Sequence, residues 1–151
     1  TTLFRSRSCV RPDYRSGGAI LMLWSALIRY MVEGGHRYLF GCASMGMADG
    51  GHAAAATWRR VQAGHLAPLE YRVFPHCRLP IEDLESPDVA HDAGARAVMP
   101  PLIKGYLRLG GFVGDGAVID PEFNTTDVFV IVKTELVTEK YIRHYERGMR
   151  E

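Results

Sequence analysis

The chain has 151 residues, 47% of them hydrophobic, which suits one globular domain with a real core. A net charge of +1, with no long run of one sign, lacks the basic stripe that a nucleic-acid-binding protein displays. Three widely spaced cysteines (Cys9, Cys42, Cys77) form no C-x-x-C pair, which argues against a disulfide framework or zinc ribbon and for a reducing cytoplasm. The longest apolar run, residues 19–31, is broken by Ser25 and Arg29 and falls short of the roughly 20 residues a spanning helix needs. No secretory pattern opens the chain. The first residue is not Met and the first element begins almost at once. Both features point to a fragment, with residues 1–6 a non-native leader and residues 7–151 the C-terminal part of a single domain.

Residues 7–10 make a short strand candidate stopped by Pro12, which lacks the N–H of a central strand. A turn rich in Asp, Ser and Gly follows. Residues 19–33 then predict a helix apolar almost all round and packed on several sides, with Ile20, Trp24, Ile28 and Met31 near one stripe. Gly34 and Gly35 end it in the manner of a left-handed cap. Residues 37–43 (RYLFGCA) predict a central strand, and the unit so far has the size of a βαβ motif. A loop over 44–51 leads to a helix over 52–62, with Ala53 to Ala56 close to a neighbouring layer and Arg59 and Arg60 facing out.

Residues 70–74 predict a further strand, and 75–96 a long polar excursion. Pro100 and Pro101 open a short helix over 102–109, closed by Gly110 and Gly111. Residues 127–133 (DVFVIVK) are the clearest strand, and 138–147 predict a polar helix.

The chemical signal lies in VRPDYRSGGAI, residues 10–20. A glycine-bearing turn between strand and helix lets backbone N–H groups point at a phosphate, and Arg15 adds a permanently charged fork. The same residues also suit an ordinary strand–helix connection with a solvated arginine. Six scattered histidines offer no i, i+4 pair, so no metal site is expected.

V-x-P-x-Y-R, then glycines and an apolar helix, resembles the acyl-donor motif of the GNAT superfamily of N-acyltransferases. The resemblance implies that the strand carrying Cys9 and Val10 pairs with a pantetheine arm. It also implies that the turn with Arg15, Gly17 and Gly18 holds the phosphate. The usual pattern is R-x-x-G-x-G or R-x-x-G-x-A, whereas Ile20 stands at the last small position here. A donor on acyl carrier protein, with one phosphate on its arm and no adenosine pyrophosphate, fits that departure.

RSCVRPDYR (7–15), YLFGCASM (38–45), ADGG (48–51), PPLIKGYLRLGG (100–111) and DPEFNTTDVFVIV (120–132) follow in order. Together they resemble the ornithine-lipid N-acyltransferases, a family also filed as hemolysins and close to the N-acyl amino acid synthases. The resemblance implies an α/β fold: a GNAT-like mixed, largely antiparallel sheet flanked by helices, with its N-terminal strands missing. It implies transfer of a 3-hydroxy fatty acyl group from acyl carrier protein, or acyl-CoA, to the α-amino group of ornithine or another amino acid. No permanently bound cofactor is implied. The expected place is the cytoplasm, with peripheral contact at the inner face of the membrane. Another GNAT-type transferase (an acetyltransferase or an acyl-homoserine-lactone synthase) or a non-catalytic carrier-protein-binding module remains open.

Amide formation needs a neutral amine, donors for an oxyanion and a proton for the leaving thiolate. Ser44, at the end of its strand, is a candidate for that chemistry or a residue bonding the loop backbone. Asp49 is either an acceptor-binding or basic carboxylate, or the cap of the helix near His52. Cys42 reads as strand packing rather than as a nucleophile. Lys104 and Arg108, four apart, form a basic face toward the carrier protein or a membrane, or are simply solvated. Asn124 and Asp127 are turn and strand-start residues or acceptor contacts.

Overall fold

The computed structural model describes residues 2–4, 11–14, 18–84 and 99–137, with the backbone alone at 2–4, 20 and 21. Its elements are β1 (Thr2–Phe4), α1 (Gly18–Glu33), β2 (Tyr38–Gly46), α2 (His52–His65), α3 (Pro101–Arg108), β3 (Phe112–Asp120) and β4 (Thr125–Lys133). The strand order is β1-β2-β4-β3. This mixed α/β sheet with helices is compatible with a partial GNAT-like fold. The chain divides into two compact units, residues 1–41 with 132–151, and residues 42–131.

In the first unit, β1 runs parallel to the start of β2, with Thr2, Leu3 and Phe4 opposite Tyr38, Leu39 and Phe40. Thr2–Phe4 thus forms a strand inside the stretch read as a leader, while the strand expected over 7–10 lies outside the described residues. Helix α1 buries Trp24, Ser25, Ile28 and Met31, a stripe at helical spacing. Met22, Leu23, Tyr30 and Val32 are exposed, so α1 is not packed on several sides as its composition suggested. Its end is a Schellman motif: Gly35 takes φ 62°, its N–H donates to Val32 O, and the His36 N–H donates to Met31 O. Thr134 ties the end of β4 to the approach of β2, its N–H donating to Arg37 O and its hydroxyl to His36 O at 2.7 Å.

In the second unit, α2 lies against β3 and buries Ala54, Ala55, Thr57, Trp58 and Val61. The small alanines permit the close approach, and Trp58, only 1% exposed, fills the layer. Its indole Nε1 donates to Glu82 Oε1 at 3.0 Å, which fastens the 3-10 turn Ile81–Leu84 to α2. Helix α3 begins where proline at the first helical position suits it and buries Ile103 and Tyr106. It closes as α1 does: Gly110 takes φ 80°, its N–H reaches Leu107 O, and the Gly111 N–H reaches Tyr106 O.

Strand β3 was not anticipated, and the strand expected over 70–74 is not one. The chain there forms a 3-10 turn, Leu69–Tyr71, and then crosses β3 without pairing continuously. Ala67 N–H donates to Val113 O, Asp115 N–H to Val73 O, and Leu79 N–H to Ala117 O. Pro68 before the turn and Pro75 after it remove the donors a ladder would need. Opposite this crossing β3 bulges, since its register with β4 passes from Val113↔Val130 to Ala117↔Val128. Gly116 takes φ 126°, and a Cβ on it would lie 2.8 Å from Pro75 Cγ; a Cβ on Gly114 would lie 2.7 Å from a Val73 methyl. Glycine is the residue that lets Val73 and Pro75 pass so close. The helix expected over 138–147 lies outside the described residues.

Candidate functional site

β2 and β4 present their residues alternately to two faces, as strands must. Ala43 and Met45 of β2 are buried, as are Thr126, Val128 and Val130 of β4. Cys42, Ser44 and Gly46 are exposed on the other face, and Thr125, Asp127 and Phe129 of β4 are half-buried. Cys42 was expected to pack inside its apolar strand. It is exposed instead, because the pleat gives the core to Leu39, Ala43 and Met45.

The Met47 N–H donates to Asn124 O at 3.0 Å where β2 ends and β4 begins. An antiparallel register continued from that bond sets Met45 opposite Thr126, Ser44 opposite Asp127, and Cys42 opposite Phe129. The burial pattern agrees, since Met45 and Thr126 are both buried, and so are Ala43 and Val128. The bond at Arg37 and Thr134 falls on the same register. Ser44 and Asp127 are therefore a non-hydrogen-bonded pair, the kind whose side chains approach most closely, and Cys42 is diagonal to Asp127.

Asp127 Oδ1 is buried and has no hydrogen-bond partner among the described residues. Its neighbourhood acts on Cys42, whose thiol is pushed up from its ordinary value by desolvation first and by the charge of Asp127 second. The surface around the thiol is open, yet enough protein lies about the sulfur to disfavour a thiolate.

Asp49 lies just before α2. Its Oδ2 accepts the Ala53 N–H at 2.8 Å and its Oδ1 the Gly51 N–H at 3.0 Å. The Ala53 bond is the main cause that holds its carboxyl below the usual range, against some desolvation, with help from the Gly51 bond and from His52. The N-cap position of α2 is Gly51, at φ 88°, and Asp49, two residues before it, satisfies amides at the helix start from outside the cap position it was expected to hold. Asn124 closes the turn between β3 and β4 in a left-handed conformation, φ 50°. Asp127 lies within β4, three residues further on, rather than at its start.

Lys104 and Arg108 are both exposed on α3, away from the buried Ile103 and Tyr106. Leu102 is 39% exposed. Gly18 is the first residue of α1. Cys9, Val10, Arg15 and Gly17 lie outside the described residues. The described part of the turn shows Arg11 paired with Asp13 and its guanidinium 5.4 Å from the centre of the Tyr14 ring. Among the described residues, no group of His, Cys, Asp and Glu is arranged to hold a metal ion. No helix among them is long and apolar enough to cross a membrane.

The sequence singled out Ser44 and Asp127 separately and gave no sign that they face each other. The one signal available was the shared parity of Ser44 and Cys42 along β2, and the small residues on both faces of GCAS hide it.

No protein-family model matches the chain, and no solved structure matches it. It is 43% identical over 144 residues to an L-ornithine N(alpha)-acyltransferase of Rhodobacter capsulatus, with 93% of this chain and 54% of that protein covered. It is 39% identical over 140 residues to the protein of the same name from Brucella abortus, with 92% and 50% covered. The Rhizobium meliloti protein of that name is 36% identical over 147 residues, with 92% and 47% covered. The chain spans about half the length of the curated relatives it matches. Over that half, the chain is similar to proteins named L-ornithine N(alpha)-acyltransferase.

Proposed function

We propose that the protein is an N-acyltransferase of ornithine lipid synthesis, joining a 3-hydroxy fatty acyl group to the α-amino group of ornithine. The observation that carries this reading is the identity of 36–43% over about 92% of the chain with proteins of that name. The open face of β2 and β4 supports it, because it offers a hydroxyl, a thiol and a carboxylate without a covalent triad, and direct aminolysis needs none.

In this reading the donor is a phosphopantetheine thioester on acyl carrier protein. Cys9 and Val10 line its arm, and Arg15, Gly17 and Gly18 take its phosphate through a guanidinium and backbone N–H groups. The neutral amine attacks the thioester carbonyl, and the C–N bond forms as the C–S bond breaks. Backbone N–H groups bind the oxyanion, and the amine proton leaves to water or a nearby base. Ser44 supplies a hydroxyl for the leaving thiolate. Lys104 and Arg108 meet the acidic carrier protein, and peripheral contact with an anionic membrane draws on the same face. Asn124 and Asp127 contact the polar acceptor. Asp49 belongs to the start of α2, since backbone N–H groups take both its oxygens.

Expression of the intact gene in a bacterium lacking ornithine lipids tests this. The expected result is a new ninhydrin-positive lysolipid, together with acylation of labelled ornithine in vitro from long-chain acyl carrier protein. Turnover with acetyl-CoA and none with the long-chain donor would reject the reading. Binding of acyl carrier protein with no acylated product would make the protein a carrier-binding module.

A further inference from the structure

We infer that Asp127 forms a subsite for the side-chain ammonium of a diamino acid and so selects such an acceptor over a neutral one. The inference rests on the proposed acylation of an amino acid and names what recognises its side chain.

The first observation is the Asp127 carboxylate itself. One of its oxygens is buried, and no donor among the described residues reaches it. Burying a carboxylate oxygen without a donor is costly, and folded proteins rarely leave such an atom unused. A ligand that brings N–H donors and a positive charge offsets that cost. The second is placement. Asp127 sits half-buried on the face that β2 leaves open, paired with the exposed Ser44 and diagonal to the exposed Cys42, so its carboxylate borders that open face. The core face of the same strands is filled by Ala43, Met45, Thr126 and Val128 and offers no alternative.

The chemistry decides which amine it takes. The α-amino group, with a reference pKa of about 7.7–8.0, has to be neutral to attack, and a fixed carboxylate beside it favours the protonated form. A side-chain amine of the lysine type, at about 10.4, stays charged throughout the reaction. A carboxylate with an unfilled acceptor suits that second group. Holding it there fixes the rest of the amino acid by one charge-assisted contact and leaves the α-amine free of a neighbouring anion.

The test uses the intact protein with a long-chain acyl carrier protein donor and two acceptors, ornithine and its neutral analogue norvaline. With Asp127→Asn, KM for ornithine should rise at least tenfold while KM for norvaline and for the donor stay put. Asp127→Glu should restore part of the preference. An equal fall in kcat with both acceptors would make Asp127 a base and overturn the subsite, as would an unchanged ornithine KM. A readout that needs no turnover is protection of Cys42 from alkylation. Ornithine at millimolar concentration should slow the reaction and norvaline should not, and equal effects would also overturn the inference. A wild-type protein that acylates no ornithine but shows that selective protection would refute the proposed activity and leave the subsite standing.

Discussion

Asp127 and Cys42 lie diagonally across β4 and β2 on the open face of the sheet, and the carboxylate adds to the desolvation that raises the Cys42 thiol above its ordinary value. The thiol is therefore exposed and yet less nucleophilic than a free thiol, a combination that exposure alone would not suggest, since the thiolate is the nucleophile.

Alkylation kinetics measure that relationship. At pH 8.5, iodoacetamide should modify Cys42 several-fold more slowly than a free thiol with a reference pKa of about 8.5. Asp127→Asn should speed the reaction and shift its pH profile toward lower pH. The folded thiol loses its proton later than the unfolded one, so this group's contribution to stability is whole below the unfolded value. It fades as pH rises through the folded one. Faster alkylation in the wild type than in the free thiol would contradict the geometry.

Asp49 carries the opposite sign. Its carboxyl is held low in the folded chain by the Ala53 and Gly51 amides, so its contribution is complete above the unfolded value of about 3.9 and is lost as pH falls through the folded value. Asp49→Ala should lower stability by about 1 kcal/mol at neutral pH, as loss of a side-chain acceptor for the amides at a helix start does. Denaturant titrations at pH 7 and pH 3 check this, and the difference between variant and wild type should shrink at the lower pH.

The bulge in β3 makes Gly116 and Gly114 intolerant of alanine. At Gly116 a side chain is strained by φ 126° and also meets the Pro75 ring. Gly116→Ala should cost on the order of 1–3 kcal/mol, the usual scale for a strained backbone position. Gly114→Ala meets a Val73 methyl and the Val73 carbonyl oxygen at 3.1 Å, so backbone has to shift there too. Thermal melts of both variants should fall below that of Gly64→Ala, where a Cβ meets nothing within 4 Å.

Trp58 separates packing from hydrogen bonding. Trp58→Ala empties a fully buried position on α2 and should cost about 3–5 kcal/mol. Trp58→Phe keeps most of the ring and loses the bond to Glu82, for about 1 kcal/mol plus the small cavity. Arg78→Ala removes the other partner of Glu82, an ion pair whose side chains are 47% and 40% exposed, and should cost under about 1 kcal/mol. Urea denaturation of the three variants should rank them in that order.

What the sequence disclosed depended on how local the cause was. Both helix ends were legible, since Gly35 and Gly110 stand one position past the last cap and only a positive φ explains them there. DVFVIVK announced β4 because its β-branched run has no competing period. FVGDGAVID hid β3 because Gly114 and Gly116 answer to Val73 and Pro75, forty residues earlier, and a glycine-rich run reads locally as a loop. The stretch over 70–74 erred the other way. Its apolar residues suit a strand, but the prolines on either side decide. At the candidate site, Ser44 and Asp127 are eighty-odd residues apart, and their pairing exists only through strand register. Asp49 was ambiguous in sequence because the same carboxylate serves a cap or an acceptor, and only the positions of two amides distinguish them.

The alternation of β2 has one further consequence, for how such a protein diversifies. Ala43 and Met45 answer to the core, while Cys42 and Ser44 answer to whatever meets the open face, and no side chain answers to both. Substitutions at 42 and 44 are therefore free to change what the open face meets while 43, 45 and 128 hold the architecture still. A lineage can vary that face with little cost to its core.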